Sequence, residues 1–166
     1  MFRILVVCTG NICRSPMGEG ILRELAAEEG LGAEIEVRSA GTWAVNGSAA
    51  SRNGIEVAKR HRVDIEDHRS RRLTAELIEQ ADLLLVMEPT HRIETLALAP
   101  KAAEKTHVLT LFADPDKGDP AGVEDPIGGD ADAYAQTFAE IDSLMLAAFP
   151  RIRAMVEAQA RQTKSH

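Results

Sequence analysis

The sequence predicts a three-layer α/β fold in which helices flank a four-stranded parallel sheet. Four short apolar segments alternate with segments that have helical spacing, and strands that alternate with helices form parallel sheets through right-handed crossovers. The chain has 166 residues, of which 45% are hydrophobic and 27% charged, and this suits one globular domain. We therefore expect a single domain over residues 1–166, with its chemistry at the carboxyl ends of the strands.

The first predicted strand covers residues 2–7, a short apolar run rich in β-branched side chains. Residues 34–38 alternate apolar and polar side chains and predict the second strand. Residues 81–87 predict a third, buried strand, and 106–111 a shorter fourth. A long loop is expected at 112–129, where three Asp-Pro pairs and four glycines lie.

Helices are predicted between and after these strands. The first begins at Ser15 and Pro16 and ends near Gly30, because proline favours the first helical position and glycine follows the last. Further helices are predicted at 53–61, from Thr74 onward and at 90–98. The last helix is predicted to begin near Asp130, and we expect Pro150 to kink or divide it because proline lacks the N–H donor.

The composition excludes several classes of protein. No apolar run approaches the roughly 18–20 residues of a membrane span, the N-terminus does not resemble a secretory signal, and the net charge of −7 argues against broad nucleic-acid binding. Two cysteines are too few for a disulfide scaffold or a Cys-rich zinc site. We expect a cytoplasmic protein with reduced thiols and with no membrane or nucleic-acid partner.

One basic segment departs from the acidic average. Residues 59–72 contain six lysines or arginines and two histidines against three acidic residues. Such a run is either a solvated surface or a source of positive potential that steers an anionic substrate. The sequence leaves both interpretations open.

The loop after the first strand carries the strongest chemical signal. It reads Cys8-Thr9-Gly10-Asn11-Ile12-Cys13-Arg14-Ser15. A loop that joins a buried strand to a helix collects backbone N–H groups around an anion, and Gly10 and Asn11 are residue types that tolerate left-handed backbone. The nucleotide-binding pattern G-x-x-x-x-G-K-[ST] is absent. The loop is therefore predicted to bind an oxyanion between a thiol and a guanidinium.

A thiol and a guanidinium in one such loop suit phosphoryl transfer. The helix N-terminus, Arg14 and the Ser15 hydroxyl favour the thiolate of Cys8. That thiolate can attack phosphorus in line while Arg14 holds two equatorial oxygens. Backbone amides and Arg14 supply the charge compensation, so the chemistry needs no metal and no cofactor.

The general acid is left open by the residues alone. Asp114, Asp119 and Asp125 each precede proline in the long loop, and each is able to protonate a leaving oxygen. Turn formation explains an Asp-Pro pair equally well.

At this point the chain resembles the low-molecular-weight protein tyrosine phosphatases. The likeness is carried by the loop from Val6 to Pro16, by Ser39-Ala40-Gly41-Thr42, by Lys59-Arg60-His61 and by Asp125-Pro126-Ile127-Gly128-Gly129. The resemblance implies a flavodoxin-like sheet, phosphorylated proteins as partners, and hydrolysis of phosphate monoesters through a phosphocysteine intermediate. It leaves the oligomeric state open.

The resemblance also assigns individual roles. It selects Asp125 as the general acid, and it implies that Asn11, Ser15, Ser39 and His68 form a network that holds the loop in shape. Cys13 corresponds to a second loop cysteine that forms a reversible disulfide with Cys8 under oxidation. The remaining residues that contact substrate by this likeness are Thr9, Gly10, Ile12, Trp43 and Ile127.

Two departures from the family pattern raise an alternative substrate. Ile127 stands where many members carry a tyrosine, and Thr9 stands where several carry leucine. Trp43 is therefore expected to supply the apolar wall. Bacterial protein arginine phosphatases share these features, but they resemble this chain less at Ile12, where they carry threonine. A bulky apolar residue suits an aryl phosphate, so phosphotyrosine is preferred and phosphoarginine is the alternative.

Two further relatives fit less well. Arsenate reductases of this fold need a third cysteine downstream, and none follows Cys13. A phosphocysteine carrier of the kind found in sugar transport would lack the arginine of the loop, which is present here as Arg14.

Overall fold

The computed structural model describes residues 1–165 and has the predicted α/β architecture. The strands are β1 (Phe2–Cys8), β2 (Ile35–Gly41), β3 (Leu83–Val86) and β4 (Thr106–Val108). The helices are α1 (Arg14–Glu28), α2 (Arg52–Arg60), α3 (Ala75–Gln80), α4 (Pro89–Leu98), α5 (Leu109–Ala113) and α6 (Ala131–Lys164), with a 3₁₀ helix at Pro100–Lys105. No helix in this part of the chain is both long and apolar enough to span a membrane.

The four strands form one parallel sheet in the order β2-β1-β3-β4, which confirms the predicted fold class. In its register Cys8 pairs with Gly41 on one side, and the preceding Val7 pairs with Val86 on the other. Because all strands run the same way, their carboxyl ends meet at one edge of the sheet. The loops that follow β1, β2 and β3 therefore lie together at that edge.

Two apolar cores cover the two faces of the sheet. Ile4 and Val6 of β1 point into a core shared with α1, α2, α5 and α6. Leu5 and Val7 point into the opposite core, which α3, α4 and the 3₁₀ helix cover. This alternation is the period-two pattern of a strand buried on both faces. The sheet is thus the middle of three layers.

The fourth strand is shorter than predicted. It ends at Val108, and residues 109–113 form α5. Leu109 and Phe112, three positions apart, are both buried in the core shared with α6. Helical spacing brings both side chains to that core, whereas a strand would turn them to opposite faces. Periodicity in so short an apolar run does not separate the two structures.

The last helix is not divided at Pro150, so the predicted division is wrong, and a kink there stays a prediction. It begins after Asp130, whose carboxylate accepts a hydrogen bond from the Ala133 N–H at 2.9 Å, and it runs for 34 residues. Pro150 is exposed, and the helical carbonyl left without its N–H partner belongs to Leu146, which is also exposed. Water can bond to the Leu146 carbonyl in place of the missing N–H. The helix therefore continues past Pro150.

We predict that Pro150→Ala raises the free energy of unfolding by about 1–3 kcal/mol, because it restores one helical hydrogen bond and removes the clash of the ring. Urea denaturation measures this change. Ser143→Ala, at another exposed position of α6, is the control and should change stability by less than about 0.5 kcal/mol. A less stable Pro150→Ala protein would contradict the account.

Candidate active site

The loop between β1 and α1 is built around the buried side chain of Asn11. Its backbone lies in the left-handed region, with φ of 56°. Its amide nitrogen donates to Ser15 Oγ at 2.8 Å and to Ser39 Oγ at 2.9 Å, and its Oδ1 accepts from the Arg71 N–H at 2.9 Å. The imidazole of His68 lies 2.7 Å from the Asn11 carbonyl oxygen through Nε2. The predicted network of Asn11, Ser15, Ser39 and His68 is therefore present as contacts.

The end of β2 packs against the loop from the side. The Thr42 N–H donates to the Cys8 carbonyl at 3.0 Å, and the Trp43 N–H donates to the Thr9 carbonyl at 2.9 Å. A Cβ atom at Gly41 would lie 2.4 Å from the Thr9 carbonyl oxygen and 2.9 Å from the Asn11 nitrogen. Only glycine allows this approach. Of the two residues expected to tolerate left-handed backbone, only Asn11 adopts it. Gly10 does not have a positive φ.

The thiol of Cys8 lies at the start of this loop and is buried. Its Sγ is 2.9 Å from Ser15 Oγ. Ser15 Oγ already accepts from the Asn11 amide, so its own hydrogen is free to point at the sulfur. A hydroxyl that donates to sulfur stabilises the thiolate, which is the nucleophilic form.

Arg14 is buried to 1% exposure at the other end of the loop. Its Nη1 donates to Glu88 Oε2 at 2.7 Å and to the Val123 carbonyl at 2.6 Å. Nη2 has longer contacts, 3.4 Å to Thr9 Oγ1 and 3.5 Å to Asp125 Oδ2, and Nε has no hydrogen-bond partner within residues 1–165. One nitrogen is thus fully engaged, and the edge formed by Nε and Nη2 has donors left for an anion.

Glu88 and His91 complete the surroundings of Arg14, and the sequence reasoning missed both. His91 is 1% exposed. Its Nδ1 accepts from the Glu88 N–H at 3.0 Å, so in the neutral ring Nε2 carries the hydrogen and donates to Thr9 Oγ1 at 2.8 Å. Burial lowers the pKa of His91, and the positive charge of Arg14 lowers it further. Glu88 follows β3, and ligands of parallel sheets bind at the carboxyl ends of the strands, so its position in the sequence could have identified it.

The long loop brings one of its three Asp-Pro pairs to the site. The Val123 N–H donates to the Met87 carbonyl at 2.8 Å after β3, and a Cβ at Gly122, where φ is +84°, would lie 2.1 Å from that same oxygen. This attachment places Asp125 within 3.5 Å of Arg14, and its Oδ1 also accepts from the Ile127 N–H at 3.1 Å.

The other two aspartates of the long loop cap turns. Asp114 Oδ1 accepts from the backbone N–H groups of Asp116 and Lys117 at 3.2 and 3.0 Å, and Asp119 Oδ1 accepts from that of Ala121 at 2.9 Å. Neither forms an ion pair with Arg14. Of the three aspartates, Asp125 is the one that lies beside Arg14, and its role as the general acid stays a prediction.

The second loop cysteine lies in a different environment from the first. Cys13 is buried, and its Sγ is 3.2 Å from the hydroxyl of Tyr134 on α6. Burial raises the pKa of the Cys13 thiol and also raises that of Tyr134. Cys8 and Cys13 are both free thiols. The reversible disulfide between them stays a prediction. The sequence patterns gave no sign that Tyr134 of the last helix would contact this loop.

The expected apolar wall lies at the surface beside the loop. Trp43 is 64% exposed and Ile127 is 62% exposed. Ile12 is half-buried and packs partly against the core of α1 and α6. The roles of Trp43, Ile127 and Ile12 toward a substrate stay predictions. Within residues 1–165, no group of three or more histidine, cysteine, aspartate or glutamate side chains is placed to hold a metal ion.

Comparison with known proteins gives a consistent result. The family model described as low molecular weight phosphotyrosine protein phosphatase matches residues 3–162. A protein-arginine-phosphatase of Bacillus subtilis is 37% identical over 142 residues, covering 86% of this chain and 91% of the relative. A probable low molecular weight protein-tyrosine-phosphatase, EpsP of Ralstonia solanacearum, is 38% identical over 152 residues, covering 92% and 97%.

Solved structures agree with the sequence comparisons. A mutant of the YwlE arginine phosphatase with a phosphorylated active site serine aligns with TM-score 0.85 and 33% identity, covering 92% of this chain and 96% of that one. A low molecular weight protein tyrosine phosphatase from T. tengcongensis aligns with TM-score 0.83 and 36% identity, covering 91% and 99%.

The buried His91 predicts a pH-dependent stability. Its pKa is lowered from the ordinary 6.5, so just below that pH the unfolded chain binds a proton that the folded chain does not. The full free energy of unfolding is therefore present above pH 6.5. It falls as the pH drops toward the folded-state pKa, by up to about 1.4 kcal/mol per pH unit for this one group.

Replacement of the histidine tests this assignment. In urea denaturation between pH 7.5 and pH 5.5, His91→Gln should show a shallower loss of stability than the unaltered protein. Some dependence of the free energy of unfolding on pH should persist, because burial also lowers the pKa of His107. His61→Gln removes an exposed histidine and is the control. An unchanged slope in His91→Gln would refute the assignment.

Proposed function

The chain belongs to the low molecular weight phosphotyrosine protein phosphatase family, and we propose that it hydrolyses phosphotyrosine in proteins, and small aryl phosphates, through a phosphocysteine intermediate. The observation that carries the proposal is the state of Arg14. Its Nη1 is fixed by Glu88 and Val123, while Nε has no partner in the described chain and Nη2 has only long contacts. The two N–H bonds of that edge are parallel and match two oxygens of a phosphoryl group.

The first half-reaction transfers the phosphoryl group to sulfur. The thiolate of Cys8 attacks phosphorus, the S–P bond forms, and the bond from phosphorus to the phenolic oxygen breaks. Asp125 gives its proton to the departing oxygen. Arg14 and the loop N–H groups hold the equatorial oxygens, whose charge is spread in the transition state.

The second half-reaction returns the enzyme to its starting state. Asp125, now a carboxylate, takes a proton from water, which attacks phosphorus and breaks the S–P bond. Inorganic phosphate leaves and Cys8 is again a thiolate, held by the Ser15 hydroxyl. The solved YwlE mutant with a phosphorylated active site serine supports a covalent intermediate at this position of the fold.

Phosphoarginine is the second candidate substrate. The Bacillus subtilis protein-arginine-phosphatase is about as similar to this chain as the tyrosine phosphatases are, and a carboxylate such as Asp125 can bind a guanidinium as well as protonate a phenolate. We prefer phosphotyrosine because exposed Trp43 and Ile127 offer apolar contact to an aromatic ring, and because Ile12 adds bulk without a polar group.

We also propose that residues 1–166 form one domain that works in the cytoplasm. One core contains residues from Phe2 on the first strand to Val156 on the last helix, so elements from both halves of the chain share it. Cys8 must stay reduced to act as a nucleophile, and thiols persist in reducing compartments. Phosphorylated proteins are the proposed partners.

Two substitutions test the mechanism. Cys8→Ser should lower kcat on phosphotyrosine peptides by about 10⁴-fold or more, yet still bind phosphate in calorimetry. Asp125→Ala should lower kcat by about 10²–10⁴-fold on aryl phosphates with poor leaving groups, and by less on p-nitrophenyl phosphate. Asp114→Ala removes a turn-capping carboxylate of the same loop and is the matched control. Near-native turnover of Cys8→Ser would end the proposal.

Substrate preference is tested at Ile12. We expect the unaltered protein to hydrolyse a phosphotyrosine peptide faster than the matched phosphoarginine peptide. Ile12→Thr should shift that ratio of kcat/KM toward phosphoarginine by about 10-fold, because a pocket change of one small group contributes about 1–3 kcal/mol. Equal ratios in both proteins would remove the argument from Ile12. A preference for phosphoarginine in the unaltered protein would select the second candidate.

A further inference from the structure

The basic segment noted in the sequence passes directly beside the candidate active site. Arg72 forms an isolated parallel bridge with Gly41, and Gly41 pairs with Cys8 in the sheet. Neighbouring strands lie about 4.8 Å apart, so two such steps place the Arg72 backbone on the order of 10 Å from that of Cys8. Of the two interpretations left open, proximity to substrate is the one this placement favours.

The side chain of Arg72 is stacked on an exposed aromatic ring. Its guanidinium carbon lies 5.4 Å from the ring centre of Trp43, and the Trp43 backbone is bonded to Thr9 of the loop. Arg72 and Trp43 are both exposed, and so is Val45 at 75%. Stacking on an indole limits the motion of a guanidinium and leaves its edge N–H groups free to donate.

The surface that carries these residues is held in place by hydrogen bonds. Asn46 Oδ1 accepts from the Arg72 N–H at 2.8 Å. Ser70 accepts from the Gly47 N–H at 2.8 Å through its carbonyl and from the Ser48 N–H at 2.9 Å through its hydroxyl, and that hydroxyl also bonds to the Val45 carbonyl. We call Trp43, Val45 and Arg72 the rim. A rim with a fixed backbone loses little entropy when it binds an extended peptide.

Arg72 has no ion-pair partner in the described part of the chain. Six other arginines do form ion pairs: Arg3, Arg14, Arg23, Arg38, Arg52 and Arg153. The neighbouring Arg69 and Arg71 line a different surface, a cavity whose lining also includes Glu19, Glu36, Asp64 and Asp67 together with Arg23 and Arg38. Arg72 is thus a cation at the rim within a chain whose net charge is −7.

We propose that Arg72 binds an acidic side chain that flanks the phosphorylated residue of a protein substrate, while Trp43 and Val45 contact the peptide beside it. The inference rests on the proposed phosphatase activity. The protein would then prefer phosphorylated segments rich in aspartate or glutamate. A single guanidinium on an acidic chain is too small a basic surface for nucleic acid, which binds through several phosphate contacts at once.

The test compares three phosphotyrosine peptides that differ only in the residues flanking phosphotyrosine, which are Glu, Gln or Lys. The unaltered protein should show a kcat/KM about 3- to 10-fold higher for the Glu peptide than for the Gln peptide, the size expected of one or two exposed ion pairs. The preference should shrink as salt is raised to about 1 M, where charges are screened within about 3 Å.

Variants of Arg72 test whether this residue causes the preference for the Glu peptide. In Arg72→Gln, the kcat/KM values for the Glu and Gln peptides should differ by no more than about twofold. Arg72→Glu should have its highest kcat/KM on the Lys peptide. Arg161→Gln removes one exposed arginine from the last turn of α6 and should keep the unaltered ratio. Each ratio is internal to one protein, so a general loss of activity does not mimic the effect.

The outcomes separate this inference from the proposed function. Hydrolysis of p-nitrophenyl phosphate reports the phosphatase activity without any flanking residue. If the protein hydrolyses p-nitrophenyl phosphate but shows the same kcat/KM for all three peptides, the inference is overturned and the phosphatase activity stands. The same holds if Arg72→Gln keeps the preference for the Glu peptide. No turnover of any phosphate ester would overturn both.

Discussion

A single buried asparagine holds the loop between β1 and α1 in its shape. Asn11 adopts left-handed backbone, and its side-chain amide links the loop to α1 through Ser15, to β2 through Ser39 and to the segment at Arg71. All of these bonds are made within the chain, so they hold the backbone of the loop in one conformation. Preorganised donors of this kind stabilise transition-state charge more than mobile ones do.

The second constraint is the burial of a cation. Arg14 would be costly at 1% exposure without partners, and Glu88 and the Val123 carbonyl supply them. These partners come from the segment after β3 and from the long loop, so the same contacts that neutralise Arg14 also fix its orientation. They bring Asp125 to the site as well, because that residue follows Val123 by two positions. Fold stability and site geometry are thus provided by the same bonds.

Local patterns predicted most of this arrangement, and long-range contacts account for what was missed. The four strands, the loop from Cys8 to Ser15 and the N-cap at Asp130 follow from local rules. Glu88 could have been found from its place just after β3, but the importance of His91 depends on the burial of Arg14, which no local pattern shows. The helix at 109–113 and the continuity of α6 at Pro150 also depend on tertiary context, namely which side of each segment meets the core.

The claim on which the rest depends is that the loop has its anion-binding shape before an anion binds. Crystal structures of the unaltered protein with and without bound vanadate measure this directly. The account predicts that the backbone of residues 8–15 superposes to within about 0.5 Å, with Asn11 left-handed and bonded to Ser15 and Ser39 in both states. A loop that changes the conformation of Asn11, or that leaves Arg14 turned away from the vanadate oxygens, would contradict it.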